Sequence, residues 1–449
     1  MPEVLPFRGI RYAASRPAAL SRLIAPPYDV ISPQSRDELA LRSPHNAVHI
    51  ILDRERPGDG ATDNKYLRAA RAFAAWMEDG TLRQDPVPAL YPIEQSFTGP
   101  DGRPRVRLGL VVACRLHAYA EGLVLPHEKT LKGPKVDRLE LVRQVQANLS
   151  PILALYEDER AEGQRALEAA LSETPEAVAE ALSDDGTRHR LWRITAPEFV
   201  LPLRRILAEK KILIADGHHR YESALAYRDL VDRERPGLPA RAGHRYIMMT
   251  LCSMSDPGLF IYPIHRLVRG LKDFRPERFF ESVARYFSVE TLQEDLRRPA
   301  GRAWAVSKLA EHRGKSTTFL LITSGDAKGR IITLRDEANL SGLPLPTSTT
   351  LRDLDVTVLN CIILQHLLGL SPAAQETEGL VDYAMDVGEV VSRTLSGAWQ
   401  LGFLVNPTPM WQVQAVAETA ETMPDNSTFF YPKLATGLVM RRIHEELSD

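Results

Sequence analysis

The chain has 449 residues, of which 44% are hydrophobic and 25% charged, and its formal net charge is −2. These values are ordinary for a globular protein, and the near-neutral balance argues against a nucleic-acid-binding protein, which usually carries a basic excess. Three widely spaced cysteines argue against a disulfide framework or a zinc site. They are expected to be buried free thiols in the cytoplasm: Cys114, Cys252 and Cys361.

No segment has the pattern of a membrane helix or a secretory signal. The first twenty residues lack a continuous apolar stretch. The longest apolar segment, 356–370, is too short to span a bilayer and is interrupted by Asn360, Gln365 and His366. We therefore expect no membrane partner, and the oligomeric state stays open.

The first half of the chain reads as alternating strands and helices. A proline-rich loop, LIAPPYDVISP, occupies 23–33. Apolar residues alternate from Val106 to Cys114, as in a strand with one buried face. Strands are expected at 47–52, 88–97, 105–114, 212–215 and 245–254. Helices are expected from Asp137 to the Ser150-Pro151 stop, within 160–183, and from about Arg220 to Arg235.

The second half mixes both element types again. Helices are expected at 276–286 and 352–370, and strands at 317–323, 330–334 and 399–405. The pattern predicts a mixed α/β (α+β) protein with two domains, 1–265 and 266–449.

The stretch ILIADGHHRYESAL at 212–225 is the strongest chemical motif. A strand that ends at a glycine and turns into a helix presents helical N–H groups, which attract phosphate. The candidate phosphate-binding residues are Gly217, His218, His219 and Arg220, and Asp216 is a candidate for divalent-cation binding. Two alternatives remain at this point. The motif is a packed turn, or Asp216 and the histidines ligate a metal together with His127, although adjacent histidines point in different directions.

Two further stretches carry polar side chains in shaped loops. In LPHEKTLKGPK (125–135), Glu128 is a candidate general base, and Lys132 and Lys135 are placed to neutralise phosphate charge. In NSTFFYPKLATGL (426–438), the hydroxyl and ammonium groups suit a small zwitterion: Ser427, Thr428, Tyr431, Lys433 and Thr436. Each stretch is otherwise an ordinary surface loop.

Taken together, these motifs resemble two known groups. The marks PPYDVIS, HEKTL, ADGHHRYE and FYPKLATGLV resemble the family named domain of unknown function 1015 along nearly the whole chain. Three shorter motifs, PHE, DGHHR and a late PK segment, resemble those of the archaeal free serine kinases. That resemblance implies a ParB/sulfiredoxin-like nucleotide-binding core, here with a helical insertion at about 137–183. Two roles stay open for the second α/β domain, which either binds substrate or forms only a lid.

The resemblance to the kinases also implies roles for residues. Glu128 would be the base, and 217–220 the phosphate cradle, with Asp216 and His219 as further catalytic residues. The expected activity is transfer of phosphate from ATP or ADP, with Mg²⁺, to the hydroxyl of free serine or a similar metabolite. The late segment reads PKLATG, without the arginine and histidine of the kinases. Two alternatives are a non-catalytic nucleotide-binding switch and a metal-dependent hydrolase.

Overall fold

The computed structural model describes residues 2–99, 102–130, 132–377 and 379–448. The chain divides into two compact units. Unit 1 comprises Met1–Pro126, Thr130–Phe260 and Pro432–Asp449, and unit 2 comprises His127–Lys129 and Ile261–Tyr431. Both units combine helices with sheets, so the prediction of a mixed α/β protein is confirmed. The finer expectation of a ParB/sulfiredoxin-like core stays a prediction.

The strands of unit 1 are β1 (Val4–Leu5), β2 (Ile10–Tyr12), β3 (Leu82–Gln84), β4 (Tyr91–Thr98), β5 (Pro104–Arg115), β6 (Val124–Leu125), β7 (Ala147–Asn148), β8 (Ile152–Tyr156), β9 (Ala179–Leu182), β10 (Arg188–Leu191), β11 (Ile212–Asp216), β12 (Tyr246–Ser253) and β21 (Arg441–Arg442). Its α-helices are α1 (Pro17–Leu20), α2 (Pro33–Arg42), α3 (Val48–Ile51), α4 (Lys65–Glu78), α5 (Lys132–Val145), α6 (Glu162–Ser172), α7 (Pro197–Ala208) and α8 (His218–Glu234).

One large sheet organises unit 1. In the described part of the chain its strands run in the order β6, β11, β8, β12, β5, β4, β10 and β9, with β1 also paired to β5. The pairs β11–β6 and β12–β8 are parallel, and the other neighbours are antiparallel. Buried side chains from four neighbouring strands form its core: Leu110, Ile152, Ile214 and Met249. This core places the C-terminal end of β11 and the start of α8.

The long strand β5 differs in one respect from its sequence pattern. The alternation from Val106 to Cys114 predicts one buried face, but Val111 and Ala113 on the other face are also buried, while Val106 is exposed. The sheet is therefore covered on both faces along this strand. From Leu108 to Cys114 every side chain is small or apolar, which allows burial on both faces, and the period alone could not reveal it.

Two segments contain elements that differ from the sequence prediction. Residues 48–51 form helix α3 instead of a strand, because the Asn46 side-chain oxygen accepts the Val48 N–H at 2.9 Å and starts a helical turn. The expected helical insertion at 137–183 contains the strands β7, β8 and β9, and β8 lies inside the large sheet. A run of four or five apolar residues does not distinguish a buried strand from a buried helix.

The strands of unit 2 are β13 (Phe260–Tyr262, which begins at the last residue of unit 1), β14 (His265–Val268), β15 (Phe287–Asp295), β16 (Thr318–Thr323), β17 (Asp326–Leu334), β18 (Val381–Ala384), β19 (Leu401–Val405) and β20 (Phe429–Tyr431). Its α-helices are α9 (Pro276–Val283), α10 (Pro299–Ala310), α11 (Thr349–Arg352), α12 (Asp355–Val358), α13 (Pro372–Thr377), α14 (Val387–Leu395) and α15 (Met410–Glu418), and a π-helix spans Leu359–Leu367.

Unit 2 is built on a second sheet with the strand order β15, β17, β16, β19, β14 and β18 among the described residues. Along β16, Phe319 and Leu321 enter one hydrophobic cluster, while Leu320 and Ile322 enter another. Successive side chains of a strand point to opposite faces, so both faces of this sheet are covered. The π-helix contributes Leu359, Ile362 and Ile363 to the first cluster.

Within the described ranges, the helices are all too short or too polar to cross a membrane.

Candidate functional site

The junction between β11 and α8 has the form that its sequence predicts. The strand residues from Ile212 to Ala215 are buried, and the pairing register with β8 shifts between Ile214 and Asp216. Such a bulge re-aims the next side chain. The strand therefore ends with Asp216 turned out of the regular alternation, directly before the helix.

Gly217 makes the turn into the helix. Its φ of +101° is a backbone conformation that favours glycine. A Cβ at this position would lie 2.8 Å from Nη2 of Arg220, so a larger residue would also press on that side chain. The Tyr221 N–H donates to the Gly217 carbonyl at 3.0 Å, and the N–H groups of 218–220 thus precede the first bond within α8. This end of a long helix carries partial positive charge.

Two cations hold the Asp216 carboxylate. Arg220 Nη2 donates to Oδ2 at 2.7 Å, and Lys433 Nζ donates to Oδ1. Burial opposes ionisation of Asp216, but the charges of Lys433 and Arg220 outweigh it and hold the pKa of this carboxyl well below its usual range. Asp216 is therefore ionised, and each of its two oxygens accepts one hydrogen bond from a cation.

The guanidinium of Arg220 is used within the protein. Its Nη1 donates to the Pro151 carbonyl at 2.6 Å, in addition to the bond to Asp216. In the described part of the chain its buried Nε has no hydrogen-bond partner. The sequence led us to expect a guanidinium fork facing phosphate; the structure instead places most of it on Asp216 and the backbone.

The position of Lys433 depends on two buried side chains from the large sheet. Gln95 Nε2 donates to the Lys433 carbonyl at 3.0 Å, and Arg107 donates to the Pro432 carbonyl. Next along the chain, Thr436 and Ala25 exchange backbone hydrogen bonds at 2.8 and 3.1 Å. The C-terminal segment of unit 1 is thereby joined to the proline-rich loop.

That loop supplies a second carboxylate. The pKa of Asp29 is raised, first by the loss of surrounding water and then by the negative charge of Asp216. The neighbouring Tyr28 packs its ring against Arg138, whose guanidinium carbon lies 4.0 Å from the ring centroid. Burial raises the pKa of the Tyr28 phenol to about 12, so the hydroxyl is neutral. Asp29 is exposed, and it lies within electrostatic range of Asp216, Arg220 and Lys433.

The segment after residue 129 approaches the same helix. Thr130 Oγ1 and Lys135 Nζ donate to the same Glu222 oxygen on α8, at 2.7 and 3.0 Å. Lys135 is therefore ion-paired, while Lys132 lies exposed at the start of α5. These contacts position α5 on α8, one turn after the junction.

Glu128 lies in unit 2, where it is hydrogen-bonded to Thr428. Thr428 Oγ1 donates to Glu128 Oε1 at 3.0 Å, and His127 Nε2 lies 2.8 Å from the same hydroxyl oxygen. The single hydroxyl proton of Thr428 is used on Glu128, so the imidazole must donate to Thr428. His127 is fully buried, while the Glu128 side chain remains 22% exposed. The hydrogen bonds from His127 to Thr428 and from Thr428 to Glu128 hold the Glu128 carboxylate in place yet leave it accessible to solvent.

The remaining predicted substrate residues have structural contacts. Ser427 Oγ donates to the Pro424 carbonyl, and the Tyr431 ring packs edge-on against Tyr262 with centroids 4.9 Å apart. Thr436 Oγ1 lies 2.7 Å from Ser150 Oγ. Ser427, Thr428 and Tyr431 belong to unit 2, whereas Lys433 and Thr436 belong to unit 1. The stretch 426–438 is thus divided between the two units.

The geometry does not favour a metal centre built from protein ligands alone. Among the described residues, no group of three or more His, Cys, Asp and Glu side chains is placed to hold an ion. The residues present suit a Mg²⁺ ion that is shared with a substrate, because Mg²⁺ is commonly bound by one or two carboxylates together with substrate phosphates. Asp29 and Asp216 are the pair that suits this arrangement.

Comparison with known proteins identifies the family. A family model described as protein of unknown function (DUF1015) matches residues 4–357. The chain belongs to this family. The matched range includes Asp29, Glu128 and the 216–220 motif, while Lys433 follows after it.

Several solved structures have a distant likeness to this DUF1015 family member. A mutant free serine kinase in complex with AMP has a TM-score of 0.37 and 11% identity, covering 76% of this chain and 94% of that chain. A conserved hypothetical protein from Pyrococcus furiosus has a TM-score of 0.33 and 12% identity, covering 73% and 92%. SbnI with a C-terminal truncation, from Staphylococcus aureus, has a TM-score of 0.32 and 11% identity, covering 74% and 81%. The curated proteins gave no significant match. At these values, activity has to be inferred from the site residues themselves.

Sequence reasoning missed three residues of the unit 1 site: Tyr28, Asp29 and Arg138. The prolines before Tyr28 marked an ordered loop, but no local pattern connects that loop with β11. The backbone pairing of Ala25 with Thr436 brings them together, and it joins residues 411 positions apart (436 − 25).

Proposed function

We propose that this protein is a small-molecule kinase that transfers a phosphoryl group from ATP or ADP to the hydroxyl of free serine or a similar metabolite. The observation that carries the proposal is the β11–α8 junction. There, a helix N-terminus and a glycine with positive φ adjoin the Asp216 carboxylate and its two cations, with Asp29 in electrostatic range. Helix N-termini with a close-approach glycine suit phosphate groups.

The roles of the unit 1 residues follow from this assignment. Gly217 lets the backbone approach phosphate oxygens, and the first turn of α8, with His218 and His219, supplies donors. Lys433 and Arg220 contribute positive charge. Asp216 and Asp29 would hold Mg²⁺ on the phosphates, and this ion would offset negative charge on the transferred group. Lys132 and Lys135 add positive potential at the start of α5.

Glu128 is proposed as the base. Its carboxylate would accept the proton of the substrate hydroxyl while the hydroxyl oxygen attacks the terminal phosphorus. The bond from that phosphorus to the bridging oxygen breaks, and ADP leaves when ATP is the donor, or AMP when ADP is the donor. Thr428 and His127 fix one carboxylate oxygen, which supports this role because a positioned base loses little orientational freedom on reaction.

The direct test separates proton transfer from nucleotide binding. Glu128→Gln keeps the hydrogen bond from Thr428 but removes the basic oxygen, so we expect turnover to fall by about 10²–10⁴-fold with nucleotide affinity unchanged. Glu159→Gln, a change at an exposed glutamate, is the control. Unchanged turnover in Glu128→Gln would remove this residue from the mechanism. Nucleotide binding without any phosphorylated product in the native protein would instead support the non-catalytic switch.

A further inference from the structure

Unit 2 contains a cavity that the proposed roles do not use. Its volume is about 320 Å³, and its lining combines apolar side chains with polar ones, the latter including Lys129, Thr357, Asn360, Gln365, Gln375 and Tyr383. Lys129 directly follows Glu128, and the Met423 N–H donates to the His127 carbonyl at 2.8 Å while Met423 also lines the cavity. The cavity therefore adjoins the loop that carries the proposed base, within the same unit.

One wall of this cavity is an unusual helix. The π-helix Leu359–Leu367 follows α12 and keeps the wide i to i+5 pattern to its end, where the Leu368 N–H donates to the Ile363 carbonyl at 3.0 Å. Long π-helical segments are rare and often occur at functional sites. Thr357, Cys361 and Gln365 recur every four residues along this wall, and all three line the cavity.

One buried hydroxyl on this wall lacks a hydrogen-bond partner among the described residues. Thr357 is 1% exposed, yet its hydroxyl has no hydrogen-bond partner in the part of the chain that the structure describes. A buried hydroxyl of this kind costs free energy unless a water or a ligand satisfies it. Gln375 is oriented by a bond from Nε2 to the Leu370 carbonyl at 2.9 Å. The amides of Asn360 and Gln365 offer further donors and acceptors.

The charged side chains that line the cavity indicate which kind of ligand it could bind. Lys129 is exposed and supplies a cation, and Asp425 supplies an acid. The rest of the lining combines amides and hydroxyls with apolar side chains such as Leu351 and Met423, which suits a small ligand that has both hydrogen-bonding groups and apolar surface. The volume admits a small metabolite.

We propose that this cavity binds the non-reacting end of the acceptor: a small carboxylate that also carries hydrogen-bonding groups, with Lys129 facing its carboxylate and Thr357 bonding a polar group. The ligand is called the acceptor only because this inference rests on the proposed kinase function. The proposed binding of a small carboxylate in the cavity can be tested without that function. It assigns the acceptor to residues of unit 2 other than those expected from the stretch 426–438.

The test measures binding in the absence of nucleotide. L-serine and L-serine methyl ester, which lacks the carboxylate, are titrated into the full chain by calorimetry. L-serine is expected to bind at least tenfold more tightly than the ester. Lys129→Met and Thr357→Val are each expected to weaken L-serine binding at least fivefold. Equal affinities for the two probes, no binding of L-serine, or unchanged affinity in both variants would overturn the proposal.

Matched controls separate binding from folding. Lys328→Met removes an exposed lysine outside the cavity. Thr250→Val changes a second threonine that is 1% exposed and has an unpartnered hydroxyl among the described residues, but that lies in β12 of unit 1. Both controls are expected to bind L-serine normally. A native protein that binds L-serine but forms no phosphorylated product would contradict the kinase and leave the cavity assignment intact. If the native protein phosphorylates serine but both cavity variants keep the native affinity for L-serine, the kinase proposal stands and the cavity assignment is contradicted.

Discussion

Lys433 donates a hydrogen bond to Asp216, a residue 217 positions earlier in the chain. The other oxygen of the same carboxylate accepts from Arg220 on the first turn of α8. The C-terminal segment of unit 1 therefore completes a site that begins at the end of β11. A lysine that the sequence pattern places in substrate binding thus has a measurable structural role.

Removal of this lysine should destabilise unit 1. Asp216 and Lys433 are 11% and 17% exposed, so Lys433→Met leaves a mostly buried carboxylate with one cation fewer. We expect a loss of about 3 kcal/mol in the free energy of unfolding, measured by urea denaturation. The double variant Asp216→Asn/Lys433→Met should lose less than the sum of the two single changes. Strict additivity, or a loss no larger than that of Lys328→Met, would contradict the pairing.

Gly217→Ala tests the turn into α8. The variant places a side chain at φ +101° and against the guanidinium of Arg220, so we expect a loss of about 1–3 kcal/mol in stability and at least tenfold weaker ADP binding. Gly186→Ala is the matched control, because that glycine also has a positive φ, +82°, but a Cβ there would have no neighbouring atom within 4 Å. Equal ADP affinity in the two variants would show that the turn at 217 does not contact nucleotide.

Asp29→Asn tests the carboxylate pair. Without Mg²⁺, Asp29 and Asp216 repel a polyphosphate, so the variant should bind ADP more tightly than the native protein. With saturating Mg²⁺ the order should reverse, because one proposed ligand of the ion is lost. Calorimetric titration of ADP at both Mg²⁺ concentrations gives the two affinities. The same change in affinity with and without the ion would argue that Asp29 repels phosphate but does not hold Mg²⁺.

The carboxyl group of Asp355 in unit 2 is expected to make the free energy of unfolding depend on pH. Burial raises the pKa of this carboxyl to about 7, although a hydrogen bond from Thr317 lowers it in part. Below about pH 4 the group is protonated in both the folded and unfolded states. As pH rises from about 4 to about 7, only the unfolded state releases the proton, so stability falls through this window and stays reduced above it.

The variant Asp355→Asn should remove that loss. At about pH 8 we expect it to be about 4 kcal/mol more stable than the native protein, and at about pH 4 nearly equal to it. Thermal or urea unfolding across this pH range measures the difference. Asp353→Asn, at an exposed neighbouring residue, is the control and should follow the native profile. A native-like pH profile in Asp355→Asn would mean that this carboxyl is ionised at low cost.

Many elements of the fold could be predicted where the hydrophobic pattern of the sequence extends over many residues. The apolar runs of β5, β11 and β12, and the extended helix α8, agree with the expected elements because each has eight or more patterned residues or a clear punctuating glycine. Short apolar segments did not show whether they form a helix or a strand. Residues 48–51 became a helix through a side-chain bond from Asn46, which propensity does not report.

The candidate site could be predicted only in its local part. Asp216 and Gly217 are adjacent in sequence, so their chemistry was visible. The placement of Asp29 and Lys433 depends on the pairing of Ala25 with Thr436 and on the bonds from Gln95 and Arg107 to residues 432 and 433. Contacts between residues hundreds of positions apart leave no trace in a single sequence.

The most direct test of the kinase proposal is product analysis. The purified full chain is incubated with Mg²⁺, L-serine and either ATP or ADP, and the products are identified by mass spectrometry. We predict O-phosphoserine in amounts equal to the ADP or AMP released, and its loss in Glu128→Gln. Nucleotide that is bound or hydrolysed with no phosphorylated amino acid would contradict the proposed function.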